Sequence, residues 1–220
     1  DDQSETVLMQ LLRGSGTAGL GGMQTASGKL LRPFLFVQRT EIEAYCRERG
    51  LQFCNDSTNE DVRYTRNRIR KELLPYLEKS FNPRVIAALG NTAQLARADN
   101  DFAAYHAQFF YNQNVKANGK LLECRAEALK TAFAAVSRRV VRMMWEKMAA
   151  CGSELGFEHV EAVLGLLKNG SSGKILALPG KTAAAYFYGR LYVGAQPEVK
   201  KLISAGTVSV SYTHLTLPTT

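Results

Sequence analysis

Asp56-Ser57-Thr58-Asn59-Glu60-Asp61, followed by Tyr64-Thr65-Arg66-Asn67-Arg68-Ile69-Arg70, is the stretch on which the reading of this chain turns. An acidic, turn-forming run leads into a helix start that carries three arginines at alternate positions, with no interspersed acids to balance them. The first turn of a helix offers free N–H groups and the positive end of the macrodipole, so added guanidinium groups suit it to an anion such as phosphate. A solvated basic helix with a good N-cap is the plainer alternative. Arg66 and Arg70 lie one turn apart on one face, whereas Arg68 points elsewhere. Asp56, Ser57 and Asn59 are expected to organise the turn that aims the helix, and Asn67 to bond locally or reach a ligand.

Working outward, Asp2 to Arg13 reads as an amphipathic helix with Val7, Leu8, Leu11 and Leu12 on one face and Gly14 ending it. Asp2 and Glu5 stand three apart at its start, which is the spacing of a capping box. A glycine-rich loop runs to Gly28, Leu31 to Val37 reads as a strand entered by Pro33, and Thr40 caps a helix through Arg49. The helix beginning near Asp61 turns Ile69, Leu73, Leu74 and Leu77 inward. From Asn82 the chain becomes helical and alanine-rich, through Phe110 and again from Arg125 to Ala150, with Phe133, Val136, Val140, Met144 and Met148 forming a core stripe. A short helix over Phe157 to Leu167 and small strands over Lys174 to Leu178 and Ala183 to Val193 complete the pattern. The expected boundary is Asn82-Pro83, giving domains 1–82 and 83–209. Residues 210–220 read like a translated sequencing adaptor and are left out of the fold.

With 220 residues and 45% hydrophobic content, the chain has enough apolar material for a buried core, and its apolar runs stop short of the ~18 residues of a membrane span. The net charge of +8 favours polyanionic partners. Cys46, Cys54, Cys124 and Cys151 make no C-x-x-C pair, and His106, His159 and His214 are isolated, so no metal site is expected. Gly14-Ser15-Gly16-Thr17-Ala18-Gly19 fits G-x-G-x-x-G, but it follows a helix rather than a strand, and Asn169 to Ile175 lacks the spacing of a Walker A loop.

In order and spacing, the opening Asp1-to-Thr6 segment, Leu31-Arg32-Pro33-Phe34-Leu35 and the Asp56-to-Arg70 run resemble the tRNA(Ile)-lysidine synthetase family of the PP-loop ATP pyrophosphatases. The resemblance is dense to about Pro83 and thins to scattered matches such as Leu178-Pro179-Gly180. It implies the α/β remnant of a Rossmann-like PP-loop ATPase domain, followed by a mainly α-helical domain with a small β hairpin. It also implies ATP-dependent ligation of L-lysine to the wobble cytidine of tRNA(Ile), with ATP accompanied by Mg2+. Asp2 and Glu5 would hold the lysine amino groups, while Arg13, Arg66 and Arg70 would serve the nucleotide. Arg68, Arg138 and Arg139 would face tRNA. A homodimer is compatible with this reading, and the cytoplasm is the expected location. No S-G-G-x-D-S pyrophosphate loop occurs in the sequence, so the 220-residue chain is expected to be inactive alone. Two alternatives stay open: a non-catalytic basic RNA-binding module, and another PP-loop enzyme that modifies tRNA.

Overall fold

The computed structural model describes residues 2–35, 37–52, 61–170 and 172–208. Asp56, Ser57, Asn59 and the 210–220 tail lie outside the described residues. The chain divides into two compact units between Phe102 and Ala103. Asn82-Pro83 falls earlier, between the helices Leu74–Ser80 and Val85–Asn114.

The first unit opens with α1 (Asp2–Leu12). Its buried face is partly polar: Gln3, Ser4 and Glu5 are buried beside Val7 and Leu8, whereas Leu11 and Leu12 are exposed, so the apolar stripe read as reaching Leu12 ends a turn early. After α2 (Thr17–Leu20) comes a two-residue hairpin of β1 (Ala26–Ser27) and β2 (Leu30–Leu31), turned by Gly28 at φ 58°. The strand expected over Leu31 to Val37 stops at Leu31. Pro33 has no N–H to give to a ladder, and Leu35 and Val37 instead donate to the carbonyls of Arg32 and Phe34 in successive turns. Helix α3 (Arg39–Glu48) is capped by Gln38, two residues before the expected cap Thr40, and the Gln38 backbone N–H donates to Glu41 Oε2 at 2.7 Å.

The basic run folds as α4 (Thr65–Arg68), a π-helical turn (Ile69–Leu73) and α5 (Leu74–Ser80). Pro75 explains the wider turn. A proline in an ordinary helix crowds the carbonyl four residues back, whereas here the Leu74 N–H reaches five residues back to Ile69. Ile69 and Leu74 pack with Leu8, against Val85, Ile86 and Leu89 of the long helix α6 (Val85–Asn114).

The second unit carries a five-stranded antiparallel sheet in the order β3-β4-β7-β6-β5, more than the small hairpin the sequence shows. The strands are β3 (Val115–Asn118), β4 (Leu121–Arg125), β5 (Ile175–Leu178), β6 (Thr182–Phe187) and β7 (Arg190–Ala195). Strand alternation sorts its residues between two cores. Cys124, Leu178, Ala184, Leu191 and Val193 join the large core built with α7 (Ala126–Thr131), α8 (Ala134–Glu146) and α9 (Phe157–Lys168). Ala183, Ala185 and Tyr192 pack on the other side with Val199 of α10 (Gln196–Val208). Val140 and Met144 of the expected stripe are fully buried, while Phe133, at the start of α8, is 85% exposed. Among the described residues, no helix is long and apolar enough to cross a membrane.

Candidate functional site

The first turn of α1 and the arginine run meet side by side. Glu5 is fully buried, and both its oxygens are taken by guanidinium groups. Arg70 Nε donates to Oε1 at 2.5 Å; Arg66 Nε and Arg70 Nη2 donate to Oε2 at 2.7 and 3.1 Å. The same two arginines reach the more exposed Asp2 Oδ1, at 3.2 Å from Arg66 and 3.0 Å from Arg70. Asp2, Glu5, Arg66 and Arg70, assigned in the sequence to two different ligands, thus form one interlocked cluster of two anions and two cations. The hydrogen bond to Glu5 raises the Arg70 guanidinium further above its ordinary pKa, against the opposing effect of burial.

Around the cluster opens a cleft of about 940 Å3. Its charged lining comprises Asp2, Glu5, Glu43 and Glu78 with Arg32, Arg39, Arg66 and Arg70, and its apolar wall includes Pro33, Phe34, Val37, Ile42, Leu74 and Ile86. Such a cleft can take an amphoteric ligand with an apolar stem. An incoming ammonium competes with the arginines for Asp2 and Glu5, while an incoming carboxylate or phosphate competes with the carboxylates for Arg66 and Arg70.

Near this cleft the glycine-rich segment is latched. Gln3, buried between Asp2 and Glu5 in sequence, accepts the Met23 backbone N–H at 2.9 Å and donates to the Gly21 and Met23 carbonyls. Arg97 of α6 donates to the same two carbonyls. Gly22, at φ 62°, lies so close to the Gln3 amide that a Cβ would meet it at 2.6 Å. Met23 in turn joins the cleft lining. Neither Gln3 nor Arg97 stands out in the sequence, since a polar residue inside an amphipathic helix and a lone arginine in an alanine-rich one both read as surface.

The other nominated residues sit elsewhere. Arg13 is exposed just past the far end of α1, eight residues at about 1.5 Å each beyond Glu5, and does not line the cleft. Asn67 is buried and donates to the Asp61 carbonyl at 2.9 Å, holding the turn before α4. Within that turn, Arg63 bonds the Asp61 carboxylate and lowers its pKa. Arg68 is exposed and lines a separate recess with Leu12, Glu72 and Tyr76. Arg138 is ion-paired with Glu161 at 2.6 Å and lies over the Phe157 ring, while Arg139 bonds the Ala135 carbonyl at 3.3 Å. Among the described residues, no three His, Cys, Asp or Glu side chains gather as metal ligands.

Comparison with known proteins gives this geometry a setting. Residues 1–77 match the model of a PP-loop domain, and residues 125–192 that of the TilS substrate binding domain. A tRNA(Ile)-lysidine synthase of Caldanaerobacter subterraneus is 33% identical over 92% of this chain and 43% of its own length. The same-named protein of Solibacter usitatus is 40% identical over 75% of this chain and 38% of its own, and that of a Nostoc species is 32% identical over 83% and 58%. The chain thus spans between about two fifths and three fifths of the length of these curated relatives. With both parts matched in order and relatives agreeing across both, the chain belongs to the tRNA(Ile)-lysidine synthase family, pairing a PP-loop domain with a TilS substrate binding domain.

Proposed function

We propose that this chain serves the ATP-dependent joining of L-lysine to C2 of the wobble cytidine in a tRNA(Ile) with a CAU anticodon. The observation that carries the reading is the Asp2–Glu5–Arg66–Arg70 cluster at a cleft of the PP-loop unit. In this chemistry cytosine O2 attacks the α-phosphorus of ATP, forming an adenylated tRNA and releasing pyrophosphate. The lysine ε-amine, once deprotonated, then attacks C2, and the C2–O2 bond breaks with AMP leaving. A free lysine ammonium has a pKa of about 10.4, so its proton must be taken before the amine becomes a nucleophile.

Asp2 and Glu5 hold the lysine amino groups, and the cluster sets the terms. Glu5 accepts an ammonium only as Arg66 or Arg70 swings away, and each displaced guanidinium is then available to a carboxylate or phosphate oxygen. Lysine binding and the release of cationic groups are thereby one event. The apolar wall at Phe34, Val37 and Ile42 suits the lysine methylene stem. Arg13 acts on the nucleotide side, Mg2+ accompanies ATP, and the second unit takes tRNA.

The test is made on the chain as part of a full-length synthase, with wild type beside Asp2→Asn and Glu5→Gln. Pyrophosphate release should depend on a CAU-anticodon tRNA and AMP release on both that tRNA and lysine, and both variants should raise the KM for lysine while tRNA adenylation persists. Equal AMP release without lysine or without tRNA would remove the assignment.

A further inference from the structure

The outer end of the second unit's sheet carries positive charge that the fold itself leaves uncompensated. In the β4–β7 ladder, Arg125 stands directly opposite Arg190. Like charges in facing positions destabilise a strand pair, and the usual remedy is an acid between them. Glu123, two residues along the same face, takes Arg190 Nη1 at 2.6 Å and is itself bonded by Asn118. Arg190 is therefore balanced. Lys116, opposite Glu123 on the edge strand β3, and Arg125 are both exposed, and among the described residues neither has an ion-pair partner. Lys116, Arg125 and Arg190, with Gln113 and Asn114 from the end of α6, line a recess of about 240 Å3. Three cations against one carboxylate leave this recess two charges in excess.

We propose that this recess is a phosphate-binding site whose ligand is the phosphodiester backbone of RNA; the oxyanion chemistry follows from the side chains alone, and the RNA source rests on the reading above. The planar fork of Arg125 matches two phosphate oxygens, Lys116 adds a point charge from the neighbouring strand, and the Gln113 amide supplies neutral donors. Placement on a regular ladder fixes the spacing of the cations, as backbone recognition by shape requires. The contrast with Arg138, nominated from the sequence, favours this recess. Arg138 is spent on Glu161 and Phe157, so a phosphate there must displace an existing pair.

The experiment measures affinity of the 220-residue chain for a labelled tRNA across a salt series. Wild type is compared with Lys116→Ala plus Arg125→Ala, with the charge-keeping Lys116→Arg plus Arg125→Lys, and with Arg138→Ala. Each phosphate contact contributes about 0.9 to the slope of log K against log salt, so the alanine pair should lower the slope by about two, and the other variants should leave it near wild type. Thermal unfolding of the alanine pair should be no earlier than wild type, because one side of the Arg125–Arg190 opposition is gone; a much earlier transition would assign these residues to structure and overturn the site. An unchanged slope in the alanine pair overturns RNA as the ligand. If inorganic phosphate then raises the unfolding temperature of wild type but not of the alanine pair, the oxyanion site stands with a free phosphate as its ligand; without that difference, the site falls as well. A tRNA with another anticodon should show the same slope change, so failure of lysine-dependent AMP release leaves this result untouched.

Discussion

Glu5 in the first unit and Glu161 in the second are both carboxylates bound to arginine at 2.6–2.7 Å, and they illustrate how burial, rather than contact, sets the weight of an ion pair. Glu5 has no exposed surface and binds two guanidinium groups; Glu161 keeps 32% of its side chain in water and binds one. At Glu161, solvent solvates the acid whether or not Arg138 is present. At Glu5 it cannot, so among the described residues the two guanidinium groups stand in for water around the carboxylate, which ties α1 to the arginine run. A ligand able to replace one partner of such a carboxylate would have to shift the whole cluster, whereas a surface pair yields with little consequence.

The largest expected effect follows from that difference. Glu5→Ala strands Arg66 and Arg70 beside a small void and should destabilise the first unit by about 3 kcal/mol, the lower end of the range for a broken buried pair because both arginines keep part of their surface in water. Equilibrium unfolding in urea would read it. A cost below ~1 kcal/mol would place Glu5 with Glu161 and dissolve the contrast.

Burial with only a weak thiol–carbonyl contact is the intermediate case, and Cys124, whose Sγ donates to the Arg125 carbonyl at 3.7 Å, supplies it. The thiol sits in the sheet core at 1% exposure, and desolvation pushes its pKa up to about 11, offset only in part by Arg190. Because the folded pKa lies above the unfolded one, the neutral thiol favours folding. Its contribution is complete below about pH 9, the ordinary thiol value, and is lost as pH rises toward about 11, a change of roughly 2–3 kcal/mol. Unfolding followed across that window should show a steeper loss for wild type than for Cys124→Ala. Parallel curves would mean the thiolate is solvated in place. At neutral pH, the exposed Cys151 should be alkylated well before Cys124.

How much of this was legible in the sequence depended on whether a residue's partner was local. The Arg66/Arg70 spacing, the Asp2/Glu5 spacing and their resemblance to one family marked all four members of the cluster. That they bind one another was invisible, because the bonds close across 61 to 68 residues of chain. Local grammar also misled: Asp2 and Glu5 fit a capping box, yet Glu5 is occupied by tertiary partners. Val115–Asn118 escaped notice as a strand because an edge strand with one half-buried residue shows no alternation. Helix α10 was missed for a related reason, since Gln196-Pro197 reads as a break after β7, although proline is well placed in a helix's first turn.

The smallest expected effect tests the other arm of the comparison. Arg138→Ala removes a hydrogen bond that lowers the Glu161 pKa, so the pair's contribution is present at neutral pH and fades as pH falls through the folded carboxyl's value. Both partners are open to solvent, and water and salt screen what they gain from each other. The thermal midpoint at pH 7 and physiological salt should therefore stay within error of wild type, and any small deficit should vanish in 1 M salt. A clear salt-resistant loss would locate the cause in the guanidinium's packing over Phe157 rather than in its charge, and Arg138→Met, which keeps an apolar stem without the charge, would then recover it. Full recovery by methionine would make Arg138 a packing residue of the α8–α9 surface, and burial would remain the variable that separates the two carboxylates.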